Sequence, residues 1–304
     1  MPPMSYTRRD LLRLAGLGGL VLVGGGLPTW AADADATDAA TTTTTGFSFL
    51  QLSDTHLGFN LPKVNPDADG TLIKAIAAVN ALSIPPDFIV FTGDLTHTTD
   101  DGDERRKRLT KFKETITALK VTDIKLLAGE HDASLDNGAA YKEILGVPLH
   151  YSFDHKGVHF IALDHVSDPA GVVGADQLAW LQDDLSKQPK DARIVVLTHR
   201  PLFPLFPQWE WQTKDGQAVI DALAPYADVQ VFYGHIHQEH HQVTGNVHHH
   251  AAHSLMYALP APGSVPKKAP LPWDATAPYR GLGWRDISAG KPGGFNLDEE
   301  AVHA

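Results

Sequence analysis

The sequence predicts an α/β protein with a largely parallel core. Short apolar runs, such as residues 47–52, 87–92 and 193–198, alternate with segments of helical spacing. Five such runs stop at a short polar cluster, the place where an open α/β sheet puts its functional groups. Strands that feed helices favour parallel pairing, while two later hairpin signatures add antiparallel strands.

Taken in order, residues 47–52 read as a strand ending at Ser53-Asp54. Residues 71–82 have helical spacing through Leu72, Ile73, Ile76, Ala77 and Val79. A buried-looking strand over 87–92 runs into Gly93-Asp94, and 104–120 is an amphipathic helix with basic residues on its outer face. Residues 124–128 form a strand feeding Gly129-Glu130-His131-Asp132. Runs at 151–153 and 158–163 flank His155-Lys156-Gly157, a hairpin turn. Then follow a helix over 175–187, a strand over 193–198 ending at His199, a helix over 214–223 and a strand over 228–233 ending at Gly234-His235. A second hairpin turns at Thr244-Gly245-Asn246. No internal repeat or domain boundary interrupts 46–260, which is expected to be one domain. Beyond Leu259 the chain is rich in Pro and Gly with little periodicity, so 261–304 is expected to be an extension wrapped on the domain surface or partly disordered.

The beginning of the chain reads as an export signal over residues 1–34. Thr7-Arg8-Arg9-Asp10-Leu11-Leu12-Arg13 precedes an apolar, glycine-rich stretch over 14–27, and small residues follow at 31–34. Paired arginines before a modest apolar region resemble a bacterial twin-arginine signal. The stretch is short and glycine-rich for a lasting membrane span. Residues 35–45, ending in five threonines, read as a disordered linker. The resemblance implies passage of the folded protein through the twin-arginine export machinery to a periplasmic or extracellular location.

Composition narrows the chemistry. At 304 residues and 43% hydrophobic the chain can bury a sizeable core, and it has no cysteine. Disulfides and thiolate ligands are excluded, so any metal must be held by N and O donors. A net charge of −11 argues against nucleic acid as a partner. A small anionic substrate is still compatible, because bound cations dominate their local field. Histidine is the outlier at 17 residues. His155, His159 and His303 read as ordinary; the histidines at strand ends beside carboxylates do not.

The five clusters are Asp54-Thr55-His56, Gly93-Asp94, Gly129-Glu130-His131-Asp132, Thr198-His199 and Gly234-His235-Ile236-His237. Asp, Glu and His are the side chains that hold hard and borderline cations through oxygen and imidazole nitrogen. Asp-x-His and Gly-Asp are weak signals alone, whereas Gly-His-x-His is expected only about 0.08 times by chance at this composition. In order and type the set resembles the calcineurin-like metallophosphoesterase superfamily. The resemblance implies a four-layer αββα sandwich with a dinuclear metal site at the strand ends. It implies that Asp54, His56 and His237 hold one metal, that Glu130, His199 and His235 hold the other, and that Asp94 bridges. It further implies hydrolysis of a small phosphorylated substrate, a phosphodiester more readily than a monoester, by a metal-bridging hydroxide. His131 would assist the leaving group. Gly93, Gly129 and Gly234 are expected to permit the tight turns that aim the next side chain inward.

Two features stay open. His97, three residues past Asp94, either contacts substrate or supports a ligand, as in a nuclease branch of the superfamily, or is an ordinary loop histidine. His248, His250 and His253 either extend the pocket or capture another metal, or they belong to a solvated hairpin tip. If 246–250 is a strand, His248 and His250 share one face and His249 the other.

The departure from the family pattern is Glu130, where Gly-Asn-His is usual. A carboxylate in place of an amide adds one negative charge to the ligand set. That should tighten cation binding and favour Fe and/or Mn, with Zn also admissible. It should also weaken attraction for an anionic phosphate. The alternative function is therefore a metal-binding or metal-handling protein on the same fold with little hydrolytic activity.

Overall fold

Successive residues of the central strands face two different cores, and this alternation builds the molecule. The computed structural model describes residues 46–290 and 294–303; the export-signal and linker readings for residues 1–45 lie outside the described residues. In the first sheet β1 (Ser48–Leu52), β2 (Phe88–Thr92) and β3 (Ile124–Leu127) are parallel. The second sheet holds β4 (Tyr151–His155), β5 (Val158–Ala162), β6 (Arg193–Leu197), β7 (Asp228–Tyr233), β8 (His240–Thr244) and β9 (Val247–Ala251), in the order β4-β5-β6-β7-β9-β8. Here β5, β6, β7 and β9 are parallel, and the two hairpin partners β4 and β8 pair antiparallel.

One set of strand residues meets between the sheets: Phe49, Phe88, Val90 and Leu127 from the first, Phe160, Val195, Leu197 and Phe232 from the second. Phe49 and Phe88 stack at 4.9 Å, and Phe160 meets Phe49 edge-on at 5.5 Å. The alternate set on the first sheet, Leu50, Leu52, Ile89 and Phe91, packs under helices. These are α1 (Ala68–Asn80), α2 (Gly102–Ile116), the short α3 (Glu130–Ala133) and α4 (Ala139–Leu145). On the second sheet Ile161, Ile194, Val196 and Val231 pack under α5 (Ala175–Ser186) and α6 (Gly216–Leu223). The result is the expected four-layer αββα sandwich. Strands buried on both faces explain why their sequences read as unbroken apolar runs.

Two local readings change. Helix α2 begins at Gly102, two residues earlier than its apolar pattern suggests, because the Asp101 side chain accepts from the N–H groups of Asp103 and Glu104 and caps it. The larger correction concerns the segment beyond 260, expected to wrap the surface. Within it β10 (Gly283–Ala289) pairs antiparallel with β1, and β11 (Phe295–Ala301) pairs with β10, giving the sheet order β11-β10-β1-β2-β3. Trp284 and Ile287 of β10 are buried in the two cores. Arg285, fully buried, donates to Gln51 of β1, to the Ala251 carbonyl of β9 and to Glu299 of β11, so one side chain ties both sheets to the last strand pair.

Candidate metal centre

All five clusters follow the C-terminal ends of parallel strands, β1, β2 and β3 in one sheet and β6 and β7 in the other, and these ends converge at one rim of the sandwich. The backbone there is bent hard. Asp54, His56, Asp94, His235 and His237 all have φ between 39° and 65°, and they are five of only eight non-glycine residues with positive φ among the described residues. Such conformations cost on the order of 1 kcal/mol or more each and persist where surrounding contacts over-determine them. Here the contacts are inter-strand. Asp54 N–H donates to the Gly93 carbonyl at 3.1 Å, His56 N–H to the Asp94 carbonyl at 2.9 Å, and Gly234 N–H to the His199 carbonyl at 3.0 Å.

The glycines serve close approach more than turning. A Cβ on Gly129 would stand 2.0 Å from Asp94 Oδ1, and one on Gly234 would stand 2.0 Å from Ser53 Oγ and 2.6 Å from Asp54 Oδ2. Only Gly93 of the three also needs its positive φ of 96°.

The seven residues named from the sequence form two adjoining groups, Asp54/His56/His237 and Asp94/Glu130/His199/His235, each with its donor atoms within 4.8 Å of one another. Asp94 Oδ2 stands between them, 3.6 Å from His56 Nε2 and 3.3 Å from His199 Nε2, while its Oδ1 accepts from His131 N–H at 3.0 Å. In the first group His237 Nε2 is 3.2 Å from both Asp54 Oδ1 and His56 Nε2. In the second, Glu130 Oε2 is 2.9 Å from His199 Nε2 and Oε1 is 2.9 Å from His235 Nδ1.

This donor set fits cations. His199 Nδ1 is 2.7 Å from the Thr92 carbonyl and His237 Nδ1 is 2.6 Å from the Tyr257 carbonyl. Each of these nitrogens must carry a proton, which makes Nε2 the inward-facing nitrogen of both rings, the one that can ligate a cation once any proton on it is displaced. His199 Nε2 has no well-aligned hydrogen bond despite its neighbours, and buried His235 Nε2 has no hydrogen-bond partner among the described residues. Buried polar atoms left in this state call for an ion.

The charges are balanced around the same atoms. Burial and the Glu130 charge push the Asp94 carboxyl up, but the His199 and His131 imidazoles outweigh them and hold it below the usual carboxylate range. Burial likewise raises Glu130, and His235, His199 and Arg200 bring it well below. Burial lowers His199, yet Asp94 and Glu130 raise it well above the ordinary value, as expected of a nitrogen facing two carboxylates. Burial depresses His56 against the pull of Asp94, and depresses His235 against the pull of Glu130.

His131 projects into the same cleft. Its Nδ1 accepts from Thr98 N–H at 3.0 Å, so the neutral ring carries its proton on Nε2, 3.9 Å from Asp94 Oδ2. His97 stacks on His131 with ring centroids 4.9 Å apart and brings Nδ1 to 3.4 Å from His56 Nδ1. Burial and His131 lower His97 to about 4, so at neutral pH it packs uncharged against both rings. The structure thus joins His97 to His56 and His131 as a third cluster. It does not bring His248, His250 or His253 to the cleft. His248 is exposed, His250 bonds Gln230 and His241, and His253 is half-buried away from both donor groups. The two faces of β9 divide as expected, with His249 buried against Phe203 at 5.0 Å.

Arg200, Tyr257, Lys268 and Pro270 had no motif to announce them, and Asp132 stood in a named cluster without a role. Arg200 brings Nε to 3.5 Å from Glu130 Oε2, and its own N–H donates to His165 Nε2 at 2.8 Å. Asp132 accepts from the N–H groups of Leu95, Thr96 and Gly129 and from the Thr96 hydroxyl, stapling the loop after β2 to the start of α3. Tyr257 stacks on His56 with its hydroxyl 3.4 Å from Nε2, and burial, then Asp94, keeps that hydroxyl protonated. Lys268 and Pro270 complete a cleft of about 120 Å³ whose other walls are His56, Asp94, Glu130, His131, His235, His237, Tyr257 and Leu259.

The family model described as calcineurin-like phosphoesterase matches residues 47–239, the span that carries the seven candidate metal donors and His131. The chain belongs to this family. It is 29% identical over 203 residues to a cAMP/cGMP dual specificity phosphodiesterase of Mycobacterium tuberculosis, covering 63% of this chain and 62% of that protein. It is 28% identical over 160 residues to a probable glycerophosphodiester phosphodiesterase of Arcobacter nitrofigilis, covering 50% and 56%. The chain thus spans less than two thirds of these two relatives. A dimetal phosphatase from Danio rerio superimposes with a TM-score of 0.58 over 84% of this chain and 96% of that chain at 14% identity, which is a likeness of fold. Among the described residues no helix is long and apolar enough to cross a membrane.

Proposed function

We propose that this member of the calcineurin-like family is an exported phosphodiesterase that works with two cations. The observation that carries the reading is Asp94 Oδ2 standing between two imidazole-carboxylate groups, with the His131 N–H facing the same space. Asp54, His56 and His237 would hold one ion; Glu130, His199 and His235 would hold the other, with Asp94 shared. Two such ions supply charge neutralisation at the phosphoryl oxygens and an acidified water. With three carboxylates and no sulfur the set suits Fe and/or Mn, with Zn the other candidate.

The chain's own residues do the rest. Lys268, whose Nζ donates to the Trp209 carbonyl at 3.2 Å, and Tyr257 line the cleft and would be the donors to the phosphoryl oxygens. A water oxygen bonds to phosphorus as the ester P–O bond breaks, His131 passes its Nε2 proton to the departing alkoxide oxygen, and the proton that the water gives up returns Nε2 to its neutral state, leaving an alcohol and a phosphomonoester. Thr98 N–H on Nδ1 keeps that proton on the nitrogen facing the cleft. The phosphodiesterase relatives support a diester substrate over a monoester. The idea of an inert metal-handling protein drew on the extra charge of Glu130, and Arg200 offsets that charge at 3.5 Å.

Metal-reconstituted protein is to be assayed on bis(p-nitrophenyl) phosphate, p-nitrophenyl phosphate and 3′,5′-cyclic nucleotides. Turnover of the diesters is expected, and two tightly held metals with no turnover of any substrate would overturn the enzyme reading. His131→Asn should lower kcat about 100-fold on an alkyl diester but much less on a p-nitrophenyl ester, whose leaving group needs no acid. Equal losses on both would remove His131 from that role. Arg8 and Arg9 support the export proposal, and an Arg8→Lys/Arg9→Lys chain should stay in the cytoplasm on fractionation.

A further inference from the structure

One backbone amide sets the proton position on His131, and that amide is itself held from behind. The Thr98 N–H that donates to His131 Nδ1 at 3.0 Å shares one planar peptide unit with the His97 carbonyl. At the other end of that unit Arg108 Nη1 donates to the His97 carbonyl at 2.8 Å and to the Thr98 carbonyl at 3.2 Å. A chain of hydrogen bonds therefore runs from the guanidinium through the peptide to His131. The far nitrogen of that ring, Nε2, faces the cleft.

The surroundings hold Arg108 in this place. Its stem passes over Gly58, where a Cβ would stand 2.7 Å from Arg108 Cδ and Nε. Its Nε donates to Glu104 one turn earlier at 3.0 Å, and its side chain is 19% exposed. Arg105, three residues before it on α2, donates to the Thr99 carbonyl at 2.9 Å and to Asp136 at 2.9 Å. Two arginines of one helix thus grip the carbonyls of residues 97, 98 and 99. His97 N–H is tied to the Leu57 carbonyl at 2.9 Å, which fixes the segment from the other side.

We infer that Arg108 is a positioning residue for proton delivery by His131, acting through the 97–98 peptide. This role rests on the leaving-group part given to His131 above. Arg108 does not line the cleft. Its effect is first geometric, since misplacing a reacting group by about 1 Å can cost a rate about 100-fold. It is also electronic. A cation on the carbonyl oxygen polarises the amide and strengthens its N–H as a donor to Nδ1. That draws electron density from the ring and loosens the proton on Nε2. The benefit is largest for diesters of aliphatic alcohols, whose alkoxide must take a proton as it leaves.

Metal-reconstituted wild type, Arg108→Gln and Arg108→Lys are compared on 3′,5′-cyclic AMP and glycerophosphoethanolamine, both alkyl diesters, and on bis(p-nitrophenyl) phosphate. Metal content is measured in each. Arg108→Gln should lower kcat on the alkyl diesters about tenfold with KM little changed, and on the p-nitrophenyl ester by less than about twofold. Arg108→Lys keeps a cation that can reach one carbonyl, and should recover alkyl-diester kcat to within about threefold of wild type. Arg108→Met, which keeps the stem over Gly58, repeats the test if the Gln variant is insoluble. In a His131→Asn background Arg108→Gln should cost nothing further, because both act on one proton transfer. Equal losses on alkyl and p-nitrophenyl esters, or a full additional loss in the His131→Asn background, would overturn the role. So would an enzyme that cleaves only the p-nitrophenyl diester. If His131→Asn itself fails to distinguish the two ester types, the reading of His131 falls; if only the Arg108 variants fail to do so, that reading stands and this role falls.

Discussion

Arg200 shows how one side chain changes the reading of another. Glu130 taken alone adds an uncompensated charge to the candidate centre, but the guanidinium 3.5 Å away returns most of it, and the pair is largely shielded from water. At this separation the interaction is worth on the order of a few kcal/mol even with strong screening. Arg200→Met should therefore lower kcat/KM for an anionic diester about tenfold while metal content is held or raised. Steady-state kinetics paired with elemental analysis tests this, and unchanged kcat/KM would mean that the guanidinium does not offset Glu130. Glu130 was legible because it sits in a motif. Arg200 was not, because nothing in Thr198-His199-Arg200 says which way the third side chain turns.

At the scale of elements, the last strand pair matters most. A chain ended at Pro260 loses β10, leaves the edge of β1 unpaired and removes Trp284, Arg285 and Ile287 from three buried environments. Such a chain should express as insoluble protein with no cooperative urea transition; a folded, soluble product would show that β10 is dispensable. The Pro/Gly-rich stretch before β10 hid this role, since a strand that turns back into a sheet after a long irregular crossing gives no local signal of its partner. Strand β9 offers a pH test. Burial, then His248, lowers His249 to about 4, and neither ring nitrogen has a hydrogen-bond partner among the described residues. The unfolded chain takes up a proton near pH 6.5 while the folded chain does not until about pH 4. Stability is thus full above about pH 6.5 and falls as pH drops through that window, by about 2 kcal/mol at pH 5. His249→Phe should remove that loss in urea titrations of chelated protein at pH 7 and pH 5; an identical pH loss in the variant would assign it to other groups.

For the molecule as a whole, the candidate centre exists only because two sheets end at one rim. Asp54, His56, Asp94 and Glu130 come from the first sheet and His199, His235 and His237 from the second, so bound ions would crosslink the sandwich. Buried carboxylates and strained backbone make the stripped form less stable. Chelation should lower Tm, by an amount matching roughly 4 kcal/mol for free metal at 1,000 times its Kd. Thermal unfolding with and without chelator measures this, and Asp94→Asn should abolish most of the difference. A Tm indifferent to chelator would argue against ions joining the sheets.

The amino-acid sequence by itself determined the alternation of strands and helices, the positions of the seven candidate donors and His131, and the family they resemble. It could do so because strands buried on both faces must be continuously apolar, so each polar cluster marks where a strand leaves the core. Only the tertiary structure decided that Asp94 stands between the two groups, that Arg200 answers Glu130, that Tyr257 and Lys268 close the cleft, and that His250 joins His241 instead of the centre. Those relations join residues far apart in the chain, and side-chain direction across two packed sheets is set by the packing, which no local pattern records.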